Sequence, residues 1–203
     1  ARTQDDDLGF YSVHQSAAIT RPGWVWVGAK TGYTDLFNKQ TQTWSVKAAH
    51  WEAGALVQKW DAPRKYRSYD TLDPFGTTNG YESLYQPAAT NGSIYAPDGA
   101  GQLVRLDPLT GAVTRRINPL AGTPFSGDEL VFVNSALSVD EARGDVYYTA
   151  VAWQADGDVI PRASWLVRVH ADDTTEIRAW DAVAPSGFMG IHSGPPDQCI
   201  YPF

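Results

Sequence analysis

Sulfur is scarce: the 203 residues include one cysteine, Cys199, and one methionine. A single cysteine excludes an internal disulfide. It leaves two readings, a buried thiol on a strand or a bridge to a second chain or to a continuation of this one. Long apolar runs are missing as well, so no stretch is suited to cross a membrane as a helix. Residues Ala1 to Asp7 do not read as a signal peptide. Basic charge is in short supply, with 16 Lys and Arg against 23 Asp and Glu and a net charge of -7. With a pI near 4.9, the chain is a poor fit to nucleic acid, whose binding rests on neutralising phosphates. The one basic cluster, Arg64-Lys65-Tyr66-Arg67, reads as a solvated loop. There is no nucleophile elbow, P-loop or dinucleotide fingerprint, and the four histidines show no zinc spacing.

Aromatic and turn residues are plentiful. The chain holds 8 Trp, 10 Tyr, 18 Gly and 13 Pro, a composition that favours strands joined by tight turns and so an all-β fold. Many Trp and Tyr beside one cysteine lean towards an exported protein, secreted or periplasmic. Residues Gly92 to Asn118 show the organisation most plainly. An apolar pair, Ile94-Tyr95, is followed by a Gly-rich turn at Gly99 and Gly101. An alternating run (Leu103, Val104, Leu106), an Asp107-Pro108-Leu109-Thr110-Gly111 turn and a last run from Val113 to Ile117 complete the stretch. Period-two alternation broken by turns is the pattern of an antiparallel meander.

The meander repeats. Gly23-Trp24-Val25-Trp26-Val27, Gly92-Ser93-Ile94-Tyr95-Ala96 and Gly144-Asp145-Val146-Tyr147-Tyr148 share one pattern. A second strand is expected after each, at Leu36-Phe37, Val104/Leu106 and Val167/Val169, and a third at Gln42 to Val46, Val113 to Ile117 and Thr175 to Trp180. The spacing from Val25 to Phe37 equals that from Ile94 to Leu106, and the third unit carries an insertion near Ala155 to Ala163. Small-residue strands precede each unit: Ser16 to Thr20, Pro87 to Thr90 and Ser135 to Val139. Units of four strands, about 45 to 50 residues each, are blades of a β-propeller.

Residues 1–203 therefore read as a single β-propeller domain or the N-terminal portion of one, six-bladed in preference to seven, with about three and a half blades in this chain. A fourth unit begins at Ile191-His192-Ser193 and Cys199-Ile200-Tyr201, and the chain ends mid-blade. An unpaired sheet edge invites pairing, so the expected partner is a second chain, as in a heterodimer, or a C-terminal continuation that completes the propeller. A complete small propeller closed by Phe10 to Val13 is the alternative. Residues 53–86 are expected to form a long aromatic loop over one mouth, or else an added outer strand or hairpin.

Propellers converge on an axis. One position before the small-residue strands stand Gln15, Gln86 and Asn134, with His192 in the fourth unit. Polar residues there either line a ligand site or hydrogen-bond neighbouring strands. His192, flanked by Gly190 and Gly194, is the candidate acid/base. The loop aromatics Trp60, Tyr69 and Tyr81 are candidates to stack on a flat or sugar-like substrate.

The run Val133-Asn134-Ser135-Ala136-Leu137-Ser138-Val139-Asp140, followed by Gly144-Asp145-Val146-Tyr147-Tyr148-Thr149, resembles the Asn-led inner strand of the six-bladed calcium-dependent phosphotriesterase-like superfamily. That superfamily takes in gluconolactonases, strictosidine-synthase-like and yellow-like proteins. The resemblance implies an axial divalent metal, calcium, with Asn134 and a carboxylate such as Glu82 as ligands. The chain departs from the lactonase pattern in carrying neutral Gln15 and Gln86 where calcium favours carboxylates, so the expectation is no cofactor or an axial calcium. The functional expectation is an enzyme with an axial pocket for a small neutral organic substrate, of hydrolase, lyase or isomerase type. The alternative is a non-catalytic propeller that binds a ligand or a protein.

Overall fold

Turn chemistry divides the chain into sheets. Asn91 and Gly92 both hold positive φ (50° and 68°) and fold Ala88–Thr90 back on Ser93–Pro97, the primed-turn geometry that matches strand twist. Gly144 (φ 73°) does the same before Asp145–Trp153, and Gly23 (φ 75°) before Trp24–Thr31. A computed structural model describes residues 19–31, 43–65, 86–153 and 161–183.

Those residues form three antiparallel sheets, none closed into a barrel. The first has the order β1 (Ile19–Arg21), β2 (Trp24–Thr31), β3 (Thr43–Glu52), β4 (Ala55–Arg64). The second runs β5 (Ala88–Thr90), β6 (Ser93–Pro97), β7 (Leu103–Leu106), β8 (Val113–Ile117). The third runs β10 (Ser138–Asp140), β11 (Asp145–Trp153), β12 (Pro161–Val169), β13 (Thr175–Ala179), with β9 (Val131–Val133) also pairing with β11. One helical turn, α1 (Trp180–Val183), follows.

The second sheet matches the sequence reading strand for strand. In the first, β2 pairs directly with β3, Trp26 opposite Ala48, so the run at Gln42 to Val46 opens the neighbour of β2. The Leu36-Phe37 pair lies outside the described residues. Within the 53–86 stretch the alternative of an added outer strand holds for Ala55–Arg64, which is strand β4 and not loop, hydrogen-bonded to β3 from Glu52↔Ala55 to Trp44↔Arg64. The physical cause is a two-residue hairpin at Ala53-Gly54, with φ of 49° and 87°. In the third sheet the insertion lengthens β11 and β12 to nine residues each. Its first strand is split into β9 and β10, with Asn134 to Leu137 between them.

Register fixes which way side chains face. Trp26, Tyr95 and Tyr147 hold the same place, opposite Ile19, Ala88 and Ser138 of the first strands. Trp26 and Trp60, from β2 and β4, both donate their indole N–H to the Pro108 carbonyl at 3.1 Å, crossing from the first sheet to the β7–β8 turn of the second. Gly111 in that turn leaves room for Trp60, since a Cβ there would lie 2.7 Å from the indole ring. The second sheet meets the third in the same way. Arg105 on β7 pairs with Asp173 in the β12–β13 turn at 2.8 Å, and the buried Tyr148 hydroxyl donates to the Gly101 carbonyl at 3.0 Å. Asn91 donates its side-chain N–H to the Gly144 carbonyl at 3.0 Å, turn to turn. Among the described residues the larger of two apolar clusters runs through all three sheets, from Trp26, Val46 and Ala48 through Ile94, Val104 and Leu106 to Val146, Val167 and Val169. Burying it is the main stabilising term.

Candidate functional site

The short first strands lie on the sheet edges, and β5 and β10 approach each other. All three β5 residues are buried, whereas four of the five β8 residues in the same sheet are exposed. Gln86 leads into β5 and is half-buried; Asn134 lies between β9 and β10, also half-buried, and its backbone N–H donates to the Thr149 carbonyl at 2.8 Å. The Ser135 hydroxyl accepts the returning Thr149 N–H at 2.9 Å. A kinked strand edge is thereby satisfied through one side chain and one main-chain bond, as buried backbone groups require.

Register separates these two amides. Ala88 and Ser138 are equivalent, each opposite the repeat tyrosine. Gln86 precedes Ala88 by two positions and Asn134 precedes Ser138 by four (88 − 86 and 138 − 134). Equal spacing from the small-residue run therefore does not make them structural equivalents, because the kink at Asn134 to Leu137 intervenes. Trp60, expected on a loop, lies on β4 and is half-buried between the first and second sheets, with its indole N–H bound to Pro108. Its position suits packing between sheets, not stacking on a substrate. Gln15, Tyr69, Tyr81, Glu82 and His192 lie outside the described residues.

The sequence reading passed over the buried carboxylates. Asp98, Asp145 and Asp173 each have a side chain less than a tenth exposed, and each carries an arginine. Asp98 accepts from Arg116 and from the Lys65 backbone N–H at 2.8 Å, tying β4 to the β6–β7 turn. Asp145 accepts twice from Arg168, at 2.6 and 2.9 Å, and the carboxylate beside it pushes the Arg168 guanidinium further up. Arg168 also lies over the Tyr147 ring, 5.8 Å from its centroid. His170 stands 3.6 Å from Asp145 and 4.0 Å from Glu176. Burial of a carboxylate is tolerated because a cation is fixed against it. One sequence signal for this network is the arginine opposite each repeat tyrosine: Arg105 faces Tyr95 and Arg168 faces Tyr147.

Proton-holding groups are correspondingly committed. Burial raises the Tyr95 phenol, and Tyr148, wholly buried, is pushed far above the usual range. Turn carboxylates move the other way. The Thr110 N–H lowers Asp107, Arg143 lowers Asp140 and the Thr174 hydroxyl lowers Asp172. These bonds hold turns. Among the described residues no group of three His, Cys, Asp or Glu side chains could hold a metal ion. The axial calcium implied by the resemblance would take Asn134 and a carboxylate such as Glu82; Asn134 is half-buried beside the first strand of the third sheet, and Glu82 lies outside the described residues. No helix among them is long and apolar enough to cross a membrane.

No protein-family model matches the chain, and no curated protein does. Among solved structures, the computationally designed Ika8 protein aligns with 85% of this chain and 73% of its own at 12% identity, with a TM-score of 0.25. A score so low carries no argument about fold or function.

Proposed function

We propose that the three sheets are consecutive blades of a β-propeller, six-bladed in preference to seven. On this reading the chain binds a small neutral organic ligand at the mouth where the first strands converge. The observation that carries the reading is the polarity of each sheet. A three-residue first strand lies at one edge of all three, β5 and β10 approach each other, and the fourth strands of the second and third sheets are mostly exposed or half-buried. Propeller blades share this arrangement, with short strands inward and long hairpins outward. Gln86 and Asn134 would present neutral donors and acceptors there, suited to hydroxyl or carbonyl groups.

Binding is favoured over catalysis because the three buried carboxylates are each fixed against an arginine in the joints between strands and sheets. Acid/base chemistry at this mouth would rest on His192. A thermal-shift screen with neutral lactones and monosaccharides tests the reading. It predicts a ligand that raises the unfolding midpoint of the native chain, loses that effect in Gln86→Ala or Asn134→Ala, and keeps it in His192→Ala. Turnover abolished by His192→Ala would move the reading to the enzyme. Stoichiometric calcium in the purified protein would move it to the lactonase-like branch. A screen without any midpoint shift would contradict it.

A further inference from the structure

Three asparagines lie among the described residues, and the residue that follows each decides its chemistry. Asn118 precedes Pro119, whose nitrogen carries no proton, and Asn134 precedes Ser135, whose side chain crowds its own backbone nitrogen. Asn91 precedes Gly92, and both are exposed. A glycine nitrogen, with no Cβ beside it, is unhindered and can attack the neighbouring side-chain carbonyl. The Gly92 N–H gives its proton to water, its nitrogen bonds to Cγ of Asn91, and Nδ2 takes up a proton and leaves as ammonia. Water then opens the five-membered imide at either carbonyl, to aspartate or to isoaspartate. No oxidant or reductant enters.

The fold holds that reaction back in two ways. A planar imide needs the Asn91 Cβ and the Gly92 nitrogen eclipsed about the Cα–C bond. Asn91 has φ of 50° and Gly92 of 68°, the type I′ turn, whose first central residue has ψ of roughly 30° and keeps those two atoms far apart. The leaving atom is also engaged: Nδ2 donates to the Gly144 carbonyl at 3.0 Å. Space there is tight, since a Cβ on Gly144 would lie 2.1 Å from that nitrogen. The triplet Asn91-Gly92-Ser93 has the form of an acceptor for N-linked glycan as well. The same crowding leaves a sugar on Nδ2 no room in the folded chain.

We propose that Asn91 is a deamidation site gated by the joint between the second and third sheets. The β5–β6 turn must leave the Gly144 carbonyl and change its backbone angles before the imide can close, so the reaction proceeds from the opened joint. Its product keeps the joint open. A carboxylate offers only acceptors, so an aspartate oxygen would face the Gly144 carbonyl oxygen where an N–H stood. Isoaspartate adds a methylene to the main chain of a two-residue turn that sets the Thr90↔Ser93 pairing, and register follows loop length. The modification is a one-way loosening of the Asn91–Gly144 contact.

Peptide mapping by mass spectrometry on the full chain, aged at mildly alkaline pH with and without urea, tests the gate. In urea Asn91-Gly92 should convert at the rate of Asn79-Gly80, the other such pair in the sequence. In the native chain Asn91 should convert about fivefold more slowly, or slower still, the factor that one hydrogen bond supplies. Gly144→Ala, whose Cβ displaces the amide, should speed conversion in the folded chain. Asn91→Asp, the product made directly, should lower the urea midpoint and keeps the test decisive if Gly144→Ala does not fold. Four results would overturn the proposal: equal rates at Asn91 with and without urea, no conversion in urea, a folded Gly144→Ala chain no faster than native, or an Asn91→Asp chain as stable as native.

Discussion

Replacing Gly144 by alanine should weaken the joint between the second and third sheets by a calculable amount. Gly144 has φ of 73°, a conformation that costs an L-residue with a side chain about 1–2 kcal/mol. A Cβ there would also lie 2.1 Å from the Asn91 side-chain nitrogen. The amide must turn away and give up its 3.0 Å bond to the Gly144 carbonyl, worth about 1 kcal/mol. Together the two effects predict a loss of about 2–3 kcal/mol. The second variant is Asn91→Gly, chosen because Asn91 itself has φ of 50° and glycine adopts that conformation freely. In that background the neighbouring side chain is already gone, and Gly144→Ala should cost only the backbone share. The coupling, read from urea unfolding at equilibrium, should be about 1 kcal/mol. Equal costs in the two backgrounds would refute the turn-to-turn contact.

Three further outcomes follow from the same structure. Tyr148→Phe keeps the packing but strands the Gly101 carbonyl, so stability should fall by about 1 kcal/mol in urea unfolding; no change would mean the hydroxyl is not bonded. Ala53→Asn places a residue tolerant of the left-handed region at φ 49° and should raise stability by about 1 kcal/mol, read as a higher urea midpoint at unchanged slope. The turn carboxylates Asp107, Asp140 and Asp172 have lowered folded pKa values. Their contribution is therefore present above the unfolded value, near pH 4, and is lost as pH falls through the lower folded value. Asp107→Asn should flatten part of that acid loss in a pH series of unfolding midpoints, while a steeper loss would contradict the sign.

The second sheet was legible because its turns are written in residues with a backbone reason. Asn91-Gly92 supplies two positive φ angles, and Asp107 receives the N–H groups of Leu109 and Thr110. The first sheet is less legible because its hairpin turns on Ala53-Gly54, and alanine is no signal for positive φ, so the stretch that becomes β4, with Trp60 on it, reads equally as a loop or as an added outer strand. Counting residues back from the strands also failed at the candidate mouth. The kink at Asn134 to Leu137 depends on the Ser135 hydroxyl bonding Thr149, a contact fourteen positions away that no local pattern encodes. The Arg105–Asp173 pair was hidden for the same reason: Asp173 meets Arg105 only once two sheets are stacked.

Hydrogen exchange read by mass spectrometry tests the repeated blade most directly. The account predicts the same gradient three times along the chain. Amides in the second and third strands, β2 and β3, β6 and β7, β11 and β12, should exchange slowest, and those in the fourth strands β4, β8 and β13 markedly faster. Protection as strong in β4, β8 and β13 as in the strands they flank, or a gradient present in one sheet and missing in the others, would contradict it.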